Sequence, residues 1–302
     1  MRRLIKPLRE RADRYLRARV GEGVSAALPA PAPAPAPLHG TYVGNNRVLV
    51  RTLWGGRLLV PGDDLSHLPE LVAHGTYDVP FTTFLQRTIE PGDTVVDVGA
   101  NLGIFTVLAG YQVWEHGRVV AYEASPRNID VLRDNVALNW LTDRIEVVPK
   151  AAGAAAGTLP FLAPHRFGGS GSLQPVEHLL VTEDRRDTVD RIEVEVEPLD
   201  VRLAGLARID LVKIDVEGGE EQVFAGMERA LAARAVRRVS FELSREWLGA
   251  DWEPFTARLR MLAAGGWTFA TLPASGIPEP AALDALLERG RVSQILLTPP
   301  TP

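Results

Sequence analysis

The clearest hydrophobic pattern in the chain begins at residue 94. Short β-branched runs alternate there with longer segments whose apolar positions recur every three to four residues. Strands are expected at 94–98, 118–123, 144–149, 209–215, 237–243, 267–272 and 292–298. Helices are expected at 103–113, 126–139, 219–233, 252–264 and 280–289. Alternation of this kind implies an α/β fold, a mostly parallel sheet with helices on both faces. Segments 157–161 and 191–197 alternate apolar and polar positions, which predicts an inserted antiparallel pair around the glycine-rich stretch 168–172. An insertion over 157–197 near the carboxyl edge of the sheet either covers a substrate or forms a plain surface hairpin.

Upstream the pattern changes character. Residues 41–62 alternate around Trp54-Gly55-Gly56 and read as a β-hairpin, followed by a short helix over 80–90 and a turn at Pro91-Gly92-Asp93. Segment 40–92 is therefore expected as a hairpin and cap ahead of the main domain, 93–302. Residues 28–39 alternate proline with alanine, which fixes φ and removes donors, so an extended spacer is expected. Residues 1–27 open on a strongly basic stretch with apolar positions at mostly helical spacing. A basic amphipathic helix there is open to several readings: contact through residues 1–20 with an anionic membrane, a partner or an acidic carrier, or a solvated, frayed end.

Composition narrows the picture only slightly. The 302 residues are 46% hydrophobic and 24% charged, ordinary for a globular chain with a large core. A net charge of −5 gives no general drive toward nucleic acid. The absence of cysteine excludes disulfides, thiolate nucleophiles and zinc–thiolate sites. No apolar run reaches the roughly 18 residues of a membrane span, and there is no secretory apolar region, so a cytoplasmic location is expected.

The chemistry gathers at two strand ends. In the first, the strand 94–98 breaks at Gly99 and Gly103 and passes into a helix. Glycine admits close backbone approach, and the first helical turn offers unpaired N–H groups, so this is a nucleotide-sized cradle. About 20 residues further on, a second strand ends in Glu123, placed to accept both ribose hydroxyls. Dehydrogenases and S-adenosylmethionine methyltransferases share that device, and a non-catalytic strand–turn–helix is also open. The acid at Asp97 favours the methyltransferase: it would repel a pyrophosphate and suits the cationic end of S-adenosylmethionine. In the second, a strand ending near Ile214 is followed by Asp215, Glu217, Gly218 and Gly219. Lys213 and Asp215 share one strand face, either as catalytic groups or as an ion pair closing the strand. The six histidines are scattered; each reads as a loop residue rather than a catalyst, with His165 and His178 in the insertion.

Five segments together carry a family resemblance. They are 91–103 (Pro-Gly-Asp-Thr-Val-Val-Asp-Val-Gly-Ala-Asn-Leu-Gly), 122–128 (Tyr-Glu-Ala-Ser-Pro-Arg-Asn), 132–139, 198–200 and 211–220 (Leu-Val-Lys-Ile-Asp-Val-Glu-Gly-Gly-Glu). The chain resembles the FkbM family of S-adenosylmethionine-dependent methyltransferases. The resemblance implies a class I methyltransferase sheet of order 3-2-1-4-5-7-6 and methyl transfer to a hydroxyl of a sugar, polyketide or other natural product. It implies cofactor contacts from Asp97, Gly99, Ala100, Asn101, Gly103, Glu123, Ala124 and Ala151. Two departures stand out: Ala124 replaces the usual proline after Glu123, and 151–157 lacks an acid, leaving backbone and apolar contacts for the adenine. Deprotonating an alcohol needs a base. Asp215 is the candidate, helped by Lys213 and Glu217, and no metal is called for.

Overall fold

The computed structural model describes residues 39–180, 187–206 and 208–300. The basic segment 1–27 and the Pro/Ala spacer as far as Leu38 lie outside the described residues. The first described element corrects the expected hairpin: strands β1 (Gly40–Gly44), β2 (Arg47–Arg51) and β3 (Arg57–Pro61) form a three-stranded antiparallel meander. The added strand is set by Asn45 and Asn46, whose φ values of 50° and 54° make a two-residue turn matched to strand twist. Two helices follow, Leu68–His74 and Val79–Thr88. The second carries Pro80 in its first turn and is capped by Asp78, whose carboxylate accepts the Phe81 N–H at 3.1 Å.

The main sheet contains β4 (Thr94–Val98), β5 (Arg118–Tyr122) and β6 (Ile145–Val148). A second small sheet holds β7 (Ala151–Ala152), β8 (Gly157–Pro164) and β9 (Val189–Glu197). The main sheet resumes with β10 (Leu211–Ile214), β11 (Val239–Ser244), β12 (Thr268–Thr271), β13 (Glu279–Pro280) and β14 (Arg291–Thr298). Its order is β6-β5-β4-β10-β11-β14-β12-β13. β6, β5, β4, β10 and β11 run parallel, and β14 is antiparallel to both its neighbours. The seven expected strands are joined by β13, a two-residue addition at the edge. The insertion is antiparallel, β8 against β9 over Gly157–Pro164, and β7 adds to it in parallel.

One expected helix is broken. Residues 219–233 form Glu220–Gly226 and Glu228–Ala232 rather than one helix. Asp200, from another segment, accepts the Arg229 and Ala230 N–H groups at 2.9 Å and so caps the second piece. Gly226 also backs onto the residue after β7 so closely that a Cβ would lie 2.1 Å from the Gly153 carbonyl oxygen.

Strand alternation divides the core. On β4, Val96 and Val98 enter one apolar cluster and Val95 the other; on β10, Val212 and Ile214 enter the first and Leu211 the second. Asp97 and Lys213 therefore face the same side as Val95 and Leu211, beneath the helix Ile104–Gln112. β4 and β10 are paired in register with Lys213 opposite Asp97. The topology thus buries two opposite charges as neighbours.

Candidate active site

A cavity of about 490 Å³ opens at the carboxyl ends of β4, β5, β10 and β11. This is where ligands enter open α/β sheets. Its walls come from three places: the strand-end turns, the N-terminal cap and the insertion. Of the residues singled out by sequence, Gly99, Ala100, Asn101, Glu123, Ala124, Ala151, Lys213, Asp215 and Glu217 face it. Asp97 and Gly103 lie behind the wall.

The turn after β4 is shaped by close approach. Gly99 has φ 78°, and a Cβ there would lie 1.9 Å from the Asp215 carbonyl oxygen, so only glycine fits. Asn101 has φ 51°, and its N–H donates to Glu123 Oε2 at 2.7 Å. Glu123 Oε1 accepts from the Ser125 N–H at 2.8 Å. Burial pushes the Glu123 carboxyl above the usual range, against the pull of these backbone donors. Oε1 also accepts from Asn128 Nδ2 at 3.5 Å, while Oε2 keeps a further acceptor position. Asn101 Oδ1 is buried with no hydrogen-bond partner, an acceptor that a bound ligand's donor would satisfy.

Behind the turn, Asp97 is fully engaged. Its Oδ2 accepts from Thr106 Oγ1 at 2.6 Å, and its Oδ1 lies 3.1 Å from Lys213 Nζ. Lys213 also reaches Asp215 Oδ2 at 3.5 Å and donates to the Gly99 carbonyl at 3.2 Å. Burial works against the Lys213 charge, but the two carboxylates outweigh it and hold its pKa above the ordinary value. One ammonium thus links both strand ends. It fixes Asp215, whose side chain remains about a third exposed.

The β10 turn continues through Glu217 (φ 51°) and Gly218 (φ 95°). Ser172 of the insertion donates to the Glu217 carbonyl at 2.7 Å. The insertion is thereby pinned over the site, with Phe161 and Gly168–Ser170 on the cavity wall. The expected alternative of a detached surface hairpin does not hold. Its loop is also laced to the cap, where Leu65 N–H donates to the Arg166 carbonyl at 2.7 Å, and to the helix Pro126–Leu138, where Asn128 donates to the Gly168 carbonyl at 3.2 Å.

Some wall residues, Tyr77, Asp78 and His67 of the cap, were not legible in the sequence. Glu242 of β11, the fallback base read from the sequence, also lines the cavity. Burial and the nearby carboxylates of Asp215 and Asp78 push the Tyr77 hydroxyl well above its ordinary pKa. Burial, with Asp215 and Glu220 nearby, raises Glu242 to about 8. The available signals were the Asp-x-x-His spacing of Asp64 and His67, and Asp78 ahead of Pro80. His165 and His178, the two histidines of the insertion, do not line the cavity. Among the described residues, no three His, Cys, Asp or Glu side chains are grouped to hold a metal ion, and no helix is long and apolar enough to cross a membrane.

Comparison with known proteins agrees with this geometry. The chain is 29% identical to methyltransferase sdnD of Sordaria araneosa over 65% of its length and 82% of that protein. It is 31% identical to 31-O-demethyl-FK506 methyltransferase FkbM of Streptomyces tacrolimicus over 56% of its length and 74% of that protein. Among solved structures, an O-methyltransferase from Bacillus cereus in complex with SAH matches at 16% identity and TM-score 0.41, covering 79% of this chain and 83% of that one. The family described as the methyltransferase FkbM domain matches residues 97–270. That span runs from the buried Asp97 through both strand-end turns to β12, and the chain belongs to the FkbM methyltransferase family.

Proposed function

We propose that the protein transfers a methyl group from S-adenosylmethionine to a hydroxyl of a sugar, polyketide or related natural product. The observation that carries this reading is the pairing of two strand ends in one cavity. Glu123 and Asn101 offer hydrogen-bond acceptors at one, and Asp215 is fixed by Lys213 at the other. Glu123 would receive the ribose hydroxyls, and the Asn101 side-chain oxygen another donor of the cofactor. Gly99 lets the backbone come close, while Ala124 and Ala151 offer an apolar bed for the adenine. Asp97 and Gly103 act from behind, through Lys213 and through the helix start. S-adenosylmethionine would supply a methyl on a sulfonium, an activated electrophile that leaves the protein to orient the acceptor and handle its proton.

Asp215 is the group proposed to hold the acceptor hydroxyl in line with that methyl. Glu217 borders the same space, and the insertion contributes Phe161 and Gly168–Ser170 to its wall. The acceptor in the name of the Streptomyces protein, 31-O-demethyl-FK506, supports the class of acceptor and not its identity.

Two measurements test the reading. Calorimetry should detect S-adenosylhomocysteine binding, and Glu123→Ala should weaken it by about 1.5–3 kcal/mol, the worth of hydrogen bonds to a charged group. Unchanged affinity in that variant removes Glu123 from the cofactor site. Labelled S-adenosylmethionine offered with hydroxylated glycosides and macrolides should yield O-methyl product. Label found only on nitrogen or carboxylate acceptors would replace the hydroxyl assignment.

A further inference from the structure

Strand β14 does not pair evenly with β11. Phe241 lies opposite Ile295 and Leu243 opposite Val292, so Ser293 and Gln294 together face the single residue Glu242. This is a β-bulge, a device that re-aims side chains beside a site. The packing shows its effect. Ile295 enters one apolar cluster with Phe241 and Leu243, and Val292 packs against that cluster. Strict alternation from Ile295 would turn Ser293 to the same side. With the extra residue, Ser293 and Gln294 both border the cavity, beside Glu242.

Two of these groups have unmet hydrogen-bonding capacity. Gln294 is 6% exposed, and its Oε1 accepts from Ser240 Oγ at 2.6 Å, which holds the amide in place. Its Nε2 has no hydrogen-bond partner among the described residues. Glu242, its side chain 17% exposed, meets Arg291 only at 3.8 Å, beyond hydrogen-bond distance. Burial, with Asp215 adding to it, raises the Glu242 carboxyl to about 8, which favours an uncharged partner. An amide donor and a carboxyl facing one space call for a group that accepts and donates at once. A hydroxyl does both, whereas an ammonium cannot accept and a carboxylate cannot donate.

The register ties this corner to methyl transfer. β10 and β11 run parallel, with Lys213 opposite Ser240 and Ile214 opposite Phe241. Asp215 and Glu242 therefore come next on adjacent strands, whose backbones lie about 4.8 Å apart. We propose that Glu242 and Gln294 bind a second hydroxyl of the acceptor, on the carbon beside the one that Asp215 aligns. The favoured acceptor is then a vicinal diol, methylated on one oxygen. Gln294 Nε2 donates to the second hydroxyl, and that hydroxyl gives its own hydrogen bond to Glu242, so the two hydroxyls do not share a proton. Glu242 and Gln294 set specificity and make no covalent bond. This rests on the hydroxyl-methylation reading above, and its test separates the two.

Glycosides and macrolides carrying 1,2-diols are the probes. Nuclear magnetic resonance of the product should place the new methyl ether beside a free hydroxyl. Each acceptor is then compared with the analogue in which that neighbouring hydroxyl is replaced by hydrogen. The deoxy analogue should lose on the order of 10–100-fold in kcat/KM, chiefly through KM. Gln294→Ala and Glu242→Ala should each bring the ratio of diol to deoxy kcat/KM close to one while keeping S-adenosylhomocysteine affinity. A merely structural role would slow both acceptors alike and preserve the ratio. Wild-type enzyme that methylates the deoxy analogue as well as the diol, or variants that keep the wild-type ratio, overturn the subsite and leave hydroxyl methylation intact. A wild-type enzyme that methylates no hydroxyl overturns both.

Discussion

At the scale of single residues, Lys213 decides more than any other side chain. It neutralises Asp97 and Asp215 and holds the Gly99 carbonyl, so the cofactor turn and the acceptor end share one ammonium. Lys213→Met would strand the buried Asp97 charge, at a cost of about 3–5 kcal/mol for breaking a buried pair from one side. The double variant with Asp97→Asn should recover much of that, because the stranded charge is gone. Urea unfolding checks both, and a harmless Lys213→Met would show that water reaches Asp97. Asp215→Asn tests function instead of stability. Its carboxylate is partly exposed, so the fold should persist while turnover falls about 100-fold from a misaligned acceptor. S-adenosylhomocysteine affinity should be nearly unchanged, and normal turnover at saturating cofactor would remove Asp215 from the reaction. The sequence made Gly99, Glu123 and Asp215 visible because each ends a strand with strong local pattern. It could not pair Asp97 with Lys213, since that contact exists only once β4 and β10 lie side by side.

At the scale of elements, the site depends on how tightly two strand ends can approach. The carbonyl of Asp215 occupies the space a Gly99 side chain would need, at 1.9 Å, and the backbone there is left-handed. Gly99→Ala must either push β10 away from β4 or twist the turn. The strained backbone alone is worth on the order of 1–3 kcal/mol. A lowered melting temperature together with lost S-adenosylhomocysteine binding is the expected result; retention of both would mean that the turn yields freely. The strands and most helices were legible because apolar periodicity is a local property. The breaks were not. The helix expected over 219–233 ends at Gly226 because Gly153 backs onto it, and restarts under a cap from Asp200. The meander was read as a hairpin because exposed β1 carries little apolar signal: of its five residues, none is buried.

At the scale of the whole molecule, the carboxyl edge of the sheet concentrates acid from three separate segments. Asp78 comes from the cap, Asp215 and Glu220 from the β10 turn, and Glu242 from β11; Arg291 lies 3.8 Å from Glu242. No single segment of sequence shows this density, which arises when the cap and two strand ends converge. It has a measurable consequence. Burial, reinforced by Asp215, raises Glu220 from 4.5 to about 7. Burial, with Asp215, Glu220 and Asp78 adding to it and Arg291 opposing, raises Glu242 from 4.5 to about 8. Between pH 4.5 and these values the native state holds protons that the unfolded chain has released. Stability then falls as pH rises through that window, because the native state binds more protons than the unfolded one. Above about pH 8 both groups are ionised in either state and the loss is complete. Carboxylates with depressed pKa, such as Asp64 and Glu197, contribute the opposite slope, but only at more acidic pH. Glu242→Gln keeps the side-chain shape without the charge. Its urea midpoint should therefore exceed that of the wild type increasingly from pH 5.5 to pH 8.5. Every other titratable group is common to both proteins, so the difference isolates Glu242. A constant difference across that range would mean that Glu242 ionises normally, and that water or a counter-charge reaches it from the cavity.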